Sequence, residues 1–288
     1  MRRISLFLFI ILVAIVPVLA QDLDSLRHAS MKVFFSKGQQ SRAESIARLA
    51  AGAMQYYDSL LHFRPHVKLL VLTEKDWPHH TSFPVYGMPH YTSHETLVVA
   101  SSDNAMWKSF IPPLEQLPPA LAAGVRRTYQ KNGQLTMESF FDLLALHELG
   151  HAYHKQADLV VQRKWMGELF CNIFLHTYIA ERQPDLLPAL TVFPDMVVAG
   201  GSNGFEFTTL SQFESHYNEI GTRHPRNYGW YQCRLHKAAA GIYDAGSKEV
   251  MPLLWKALQA KGEVGDREFA HRLSKQVHDS VGDVWLKW

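Results

Sequence analysis

Residues 137–155 read Met-Glu-Ser-Phe-Phe-Asp-Leu-Leu-Ala-Leu-His-Glu-Leu-Gly-His-Ala-Tyr-His-Lys. The turn signal Asn132-Gly133 stands just before the stretch, and no proline lies inside it. Phe140, Leu144, His147 and His151 recur at helical spacing, so one helix over about Met137 to Lys155 carries all four on one face. That face starts apolar and ends in two imidazoles, which therefore point inward. Buried imidazoles need partners. Hydrogen bonds within a core are one solution, and a shared cation is another.

His147-Glu148-Leu149-Gly150-His151 favours the cation. Histidines four apart on a helix reach one zinc ion at about 2.0–2.1 Å each. Glu148 stands one step round the helix and is free to act on a water in the ion's open position. Zinc brings that water's pKa towards about 7, so a carboxylate can deprotonate it, and Glu148 is the expected general base. A catalytic zinc usually takes three protein ligands. The next helix is expected over roughly Leu159 to Arg182 and places Trp165, Glu168, Leu169, Asn172 and His176 along one face. A lone carboxylate on so apolar a stripe is costly unless a metal takes it. Glu168 is the expected third ligand, with Asn172 placed to hydrogen-bond a ligand from behind and Glu181 as the fallback.

The H-E-L-G-H motif, followed about one helix later by the glutamate of Trp165-x-x-Glu168, resembles the gluzincin zinc peptidases, the thermolysin-like and aminopeptidase-like group. The resemblance implies a Zn2+ cofactor held by His147, His151 and Glu168, with Glu148 as base and a peptide or protein as substrate. Asn172 is an amide where that group often has an acid. The alternative metzincin pattern fails, because His154 and Ala157 stand where it needs glycine and a third histidine. The resemblance also implies a cleft-edge strand at Glu95–Ala100 and a transition-state phenol near Asn227-Tyr228-Gly229-Trp230-Tyr231. A phenol there donates to the oxyanion formed on the scissile carbonyl. Tyr228 is the first choice, with Tyr231 and His224 left open. The likeness spans about 67 to 260 and is specific only at 147–168.

The rest of the chain sets the frame. Its 288 residues are 47% hydrophobic and 19% charged, which fits a folded globular protein rather than a disordered one. The net charge of +2 gives no basic excess for nucleic acid. Met1-Arg2-Arg3, an apolar run from Ile4 to Leu19, and Val18 and Ala20 before a cut make a secretory signal, cleaved after Ala20. If uncleaved, the segment would be a membrane anchor. Export to the periplasm or medium is expected. Cys171 and Cys233 then form either a disulfide or two buried thiols.

Ser41-Arg42-Ala43-Glu44 reads as a capping box opening an apolar-faced helix through Leu61. Val67–Leu72 and Glu95–Ala100 read as strands. Residues 21–40 carry no assigned element and are the one candidate pro-segment. The proline pairs at 112–113 and 118–119 place a lobe boundary near 115. Pro184, Pro188 and Pro194 are expected to chop the chain after the second zinc-site helix. Further helices are expected at about 227–244, 247–260 and 266–279. The fold expected is α+β: an N-terminal lobe (21–115) with a small mixed sheet and helix, a helical lobe (116–288), and a zinc cleft between. His79, His80, His90 and His94 lie in irregular chain and read as exposed or hydrogen-bonded. Two functions follow: an exported zinc metallopeptidase, or an inactive zinc-containing envelope binding protein of the same fold. The intact Glu148 favours the first.

Overall fold

The structure, a computed structural model, describes residues 23–111 and 113–288; the expected signal segment lies outside the described residues. The first part runs β1 (Asp24–Arg27), β2 (Lys32–Phe35), α1 (Gln40–Leu61), β3 (Lys68–Leu72), α2 (Trp77–His80), β4 (His90–Tyr91), β5 (Thr96–Ala100) and α3 (Ala105–Lys108). The five strands form one mixed sheet in the order β1-β2-β3-β5-β4. β2, β3 and β5 are parallel, and β1 and β4 flank them antiparallel. The apolar runs of β3 and β5 suit this interior: strands covered on both faces need not alternate, and every residue of β5 is buried. α1 crosses from β2 to β3 and buries Ala43, Ile46, Ala50, Met54 and Tyr57.

The remainder is helical: α4 (Pro119–Tyr129), a short hairpin of β6 (Gln130–Lys131) and β7 (Gln134–Leu135), α5 (Glu138–Gln156), α6 (Lys164–Arg182), α7 (Leu187–Ala199), α8 (Leu210–Arg223), α9 (Pro225–Gly246), α10 (Val250–Ala257), α11 (Asp266–Gln276) and α12 (Asp279–Leu286). The chain is thus α+β, with the small mixed sheet preceding the helices. α5 joins the two parts, lying against α1, β4 and β5 on one side and α6 and α7 on the other. Arg42 at the start of α1 forms a two-pronged ion pair with Asp142 of α5. α6 is central: every residue from Trp165 to Ile179 is buried, between α5 and α9. A helix covered all round has no polar face to spare, so a charge on it must be met from within. Among the described residues no helix is long and apolar enough to cross a membrane.

Several expectations need correction. The box at Ser41 does not cap α1. The chain turns at Gly38 (φ +80°), the helix begins at Gln40, and Glu44 accepts a hydrogen bond from Gln40 instead. A complete capping box forms at Thr209 and Gln212, opening α8. Residues 24–35 build β1 and β2, which belong to the sheet. α6 starts five residues later than expected from Leu159, because Asp158 and Gln162 take left-handed backbone angles. Prolines 188 and 194 do not chop α7. Pro188 occupies its first turn, where no N–H is needed, and Pro194 is accommodated inside the helix. The helix expected at 266–279 is α11, which ends at Gln276, and a further helix, α12, follows from Asp279. The strand at the sheet edge is β4, while β5 is interior.

Candidate metal centre

α5 and α6 pack closely where the motif lies. A side chain on Gly150 would put its Cβ 3.0 Å from the Cys171 Cα, so the glycine eases the close approach of the two helices. The approach brings the α6 carboxylate to the α5 imidazoles. Glu168 Oε2 lies 3.1 Å from His147 Nε2 and 3.8 Å from His151 Nε2. Ligands at about 2.1 Å from a tetrahedral ion stand roughly 3.4 Å apart, so both separations suit a shared ion. His147, His151 and Cys171 also form a group able to hold a metal, with one ligand atom from each within 4.8 Å of the others. Of the two candidates for third ligand, Glu168 is the one held as a carboxylate. Burial raises the Cys171 thiol well above its ordinary value and keeps it neutral.

The partners of each ring fix its free nitrogen. His147 Nδ1 meets Asn172 Oδ1 at 2.9 Å, as the position of Asn172 in the sequence suggested. That leaves Nε2 facing the carboxylate. His151 Nδ1 lies 2.9 Å from His154 Nε2, and its Nε2 likewise faces Glu168. Burial pushes the His151 pKa down to about 3, so this ring is neutral near pH 7. Burial also lowers the His147 pKa, but its hydrogen bond and charge contact with Glu168 raise it further, leaving it above the ordinary value. Burial works against the Glu168 carboxylate. The His151 and His147 imidazoles and the hydrogen bonds from His147 and Tyr217 outweigh it and hold the group well below the usual carboxylate range. In the metal-free chain the two imidazoles and the Tyr217 hydroxyl are the partners of this carboxylate. A divalent cation fits the same place, where two imidazole nitrogens and one carboxylate oxygen converge.

Two more residues hold Glu168, and neither was legible in the sequence. The Tyr217 hydroxyl, from α8, donates to Oε1 at 2.6 Å. Gln232 Nε2, from α9, donates to Oε2 at 2.9 Å and to the Tyr228 hydroxyl oxygen at 2.9 Å. Glu148 stands half-buried beside the centre. Desolvation first, and then the Glu168 charge, raise its carboxyl to about 7, against the His147 charge and a backbone hydrogen bond from Tyr91 of β4.

A cavity of about 410 Å³ opens on this centre. The segment from Phe83 to Tyr91 and Phe110 line it from one side, and α5, α6, α7, α8 and α9 from the other. His147, Glu148, His151, Glu168 and Tyr228 all face it. The alternatives to Tyr228 do not. The Tyr231 hydroxyl donates to the Thr209 carbonyl, and its ring stacks on Trp288. His224 lies 3.8 Å from Glu206 and packs against Phe207. Glu181, the fallback ligand, accepts from Tyr243 and sits beside Lys248. Cys171 and Cys233 are both free and buried. His90 bonds Thr81 and the Met88 carbonyl, and among the described residues no second metal-holding group forms.

No family model matches the chain, and neither a curated protein nor a solved structure matches it.

Proposed function

We propose that the chain is an exported zinc-dependent hydrolase that cleaves peptide bonds, with the cavity as its substrate cleft. The observation that carries this reading is the meeting of His147, His151 and Glu168 around one point, with the half-buried carboxyl of Glu148 beside it. His147 and His151 would hold the ion through Nε2, and Glu168 through Oε2. Zinc there supplies a Lewis acid that polarises a carbonyl and acidifies water. Every other role falls to the chain. Asn172 and His154 set the tautomers of the two histidines. Tyr217 and Gln232 fix the Glu168 carboxylate so that one oxygen faces both rings.

Glu148, poised near neutral pH, takes a proton from the attacking water and returns it to the leaving amine nitrogen. Gln232 donates to the Tyr228 oxygen and holds the phenol on the cavity wall, from where its O–H would donate to the developing oxyanion. The Tyr217 hydroxyl is already committed to Glu168, so it is not the phenol for that task. A base beside the ion has no use in a protein that only binds, which favours a hydrolase over an inactive envelope binding protein.

The test compares the wild type with Glu148→Gln on a broad peptide library, with metal content measured in parallel. The variant should keep its zinc and lose hydrolysis. Full activity in the variant excludes Glu148 as base, and zinc without cleavage by the wild type favours the binding protein.

A further inference from the structure

The cavity continues past the metal centre into a chamber that the hydrolytic chemistry does not use. Phe140, Phe141 and Leu144 reach it from α5, one and two turns before His147; Phe193 comes from α7, and Phe110 from the segment after α3. The rings interlock: Phe140 lies 4.9 Å from Phe193 and 5.5 Å from Phe141, and Phe110 lies 6.1 Å from Phe193. Gly229 makes room for this wall, since a Cβ there would come within 3.1 Å of the Phe110 ring.

A polar side chain without a hydrogen-bond partner stands beside this aromatic wall. His236 stands one turn beyond Gln232 on α9, with its ring 5.8 Å from Phe140 and 6.2 Å from His147. It is 6% exposed and lines the cavity. Every other histidine at the centre has a ring partner, but among the described residues His236 makes no hydrogen bond. A buried polar group of this kind calls for a partner, and the phenylalanine walls offer none. A neutral imidazole presents one donor and one acceptor. An anionic side chain would lose its water for a neutral ring. A phenol suits both features, because its ring fills the aromatic chamber and its hydroxyl can donate or accept.

We propose that this chamber seats an aromatic side chain of the substrate next to the bond being cleaved, and that His236 makes it select tyrosine over phenylalanine. The proposal rests on the hydrolase reading for the word substrate, but the chamber can be tested without turnover. The probes are 4-methylphenol and toluene, the two side chains without a backbone. Their dissociation constants are measured by NMR titration of the full chain, for the wild type, His236→Phe and His236→Gln. Zinc content and circular dichroism serve as folding controls.

In His236→Phe the preference for 4-methylphenol relative to toluene should fall about fivefold or more, the weight of one neutral hydrogen bond. His236→Gln, which keeps a donor and an acceptor, should restore part of it. An unchanged ratio in His236→Phe, or no binding of either probe by the wild type at millimolar concentration, overturns the proposal. Paired peptides differing only in Tyr or Phe supply the second arm. If they are not cleaved while the probes behave as expected, the hydrolase reading fails and the phenol chamber stands. If they are cleaved equally well in wild type and His236→Phe, the selection fails and the hydrolase reading stands.

Discussion

Removing the charge of Glu148 should stabilise the metal-free protein, and only above acid pH. Burial lifts this carboxyl from its ordinary 4.5 to about 7 in the folded chain. The folded-state pKa therefore lies above the unfolded one. Below pH 4.5 both states hold the proton and the group has no effect. Between 4.5 and 7 the unfolded chain gives the proton up while the folded chain keeps it, and stability falls by about 1.4 kcal/mol per pH unit. Above 7 both states are ionised and the loss is complete, at about 3 kcal/mol.

Glu148→Gln keeps the shape and removes the titration. Urea denaturation of chelator-treated wild type and variant at pH 5 and pH 8 isolates the effect, because the other groups titrate alike in both proteins. The variant's advantage should grow by about 2–3 kcal/mol between the two pH values. Zinc should shrink it, since a nearby cation favours the carboxylate. An advantage independent of pH would show that Glu148 is not held in the dry, acid-flanked setting described.

The other expectations concern the ligands and the helix crossing. Glu168→Ala should weaken zinc binding by at least about 100-fold, and Tyr217→Phe by about tenfold, measured by competition with a chromophoric chelator. Zinc should displace the proton that Glu168 holds on His147, so affinity should rise with pH as that proton is lost; calorimetry in buffers of different ionisation enthalpy would detect net proton release on binding. Gly150→Ala puts a Cβ against the Cys171 backbone and should cost roughly 1–3 kcal/mol despite alanine's better helix propensity, read as a fall in Tm. Tyr228→Phe should lower kcat by about 100-fold with little change in KM.

The centre was legible where it obeys a local period. His147, Glu148 and His151 follow from helix spacing alone, and Glu168 from being a lone acid on an apolar stripe. Tyr217 and Gln232 were not legible. They come from helices 49 and 64 residues along the chain from Glu168, and no local pattern marks which phenol or amide will turn inward. α8 itself was missed, because its mostly polar sequence hides a thin apolar face of Leu210, Phe213 and Ile220. α7 was hidden by prolines that tertiary packing tolerates. β1 and β2 are four residues each, too short for a period to emerge. The apolar runs of β3 and β5 and the long α1, by contrast, read correctly in kind, and only the start of α1 was misplaced by the Ser41 box.

Elemental analysis of the purified chain, beside Glu168→Ala, tests the shared ion most directly. The account predicts about one zinc per wild-type molecule and a large loss of it in the variant, with the fold retained. A wild-type protein that folds equally well after chelation and takes up no stoichiometric zinc when the ion is offered would contradict it.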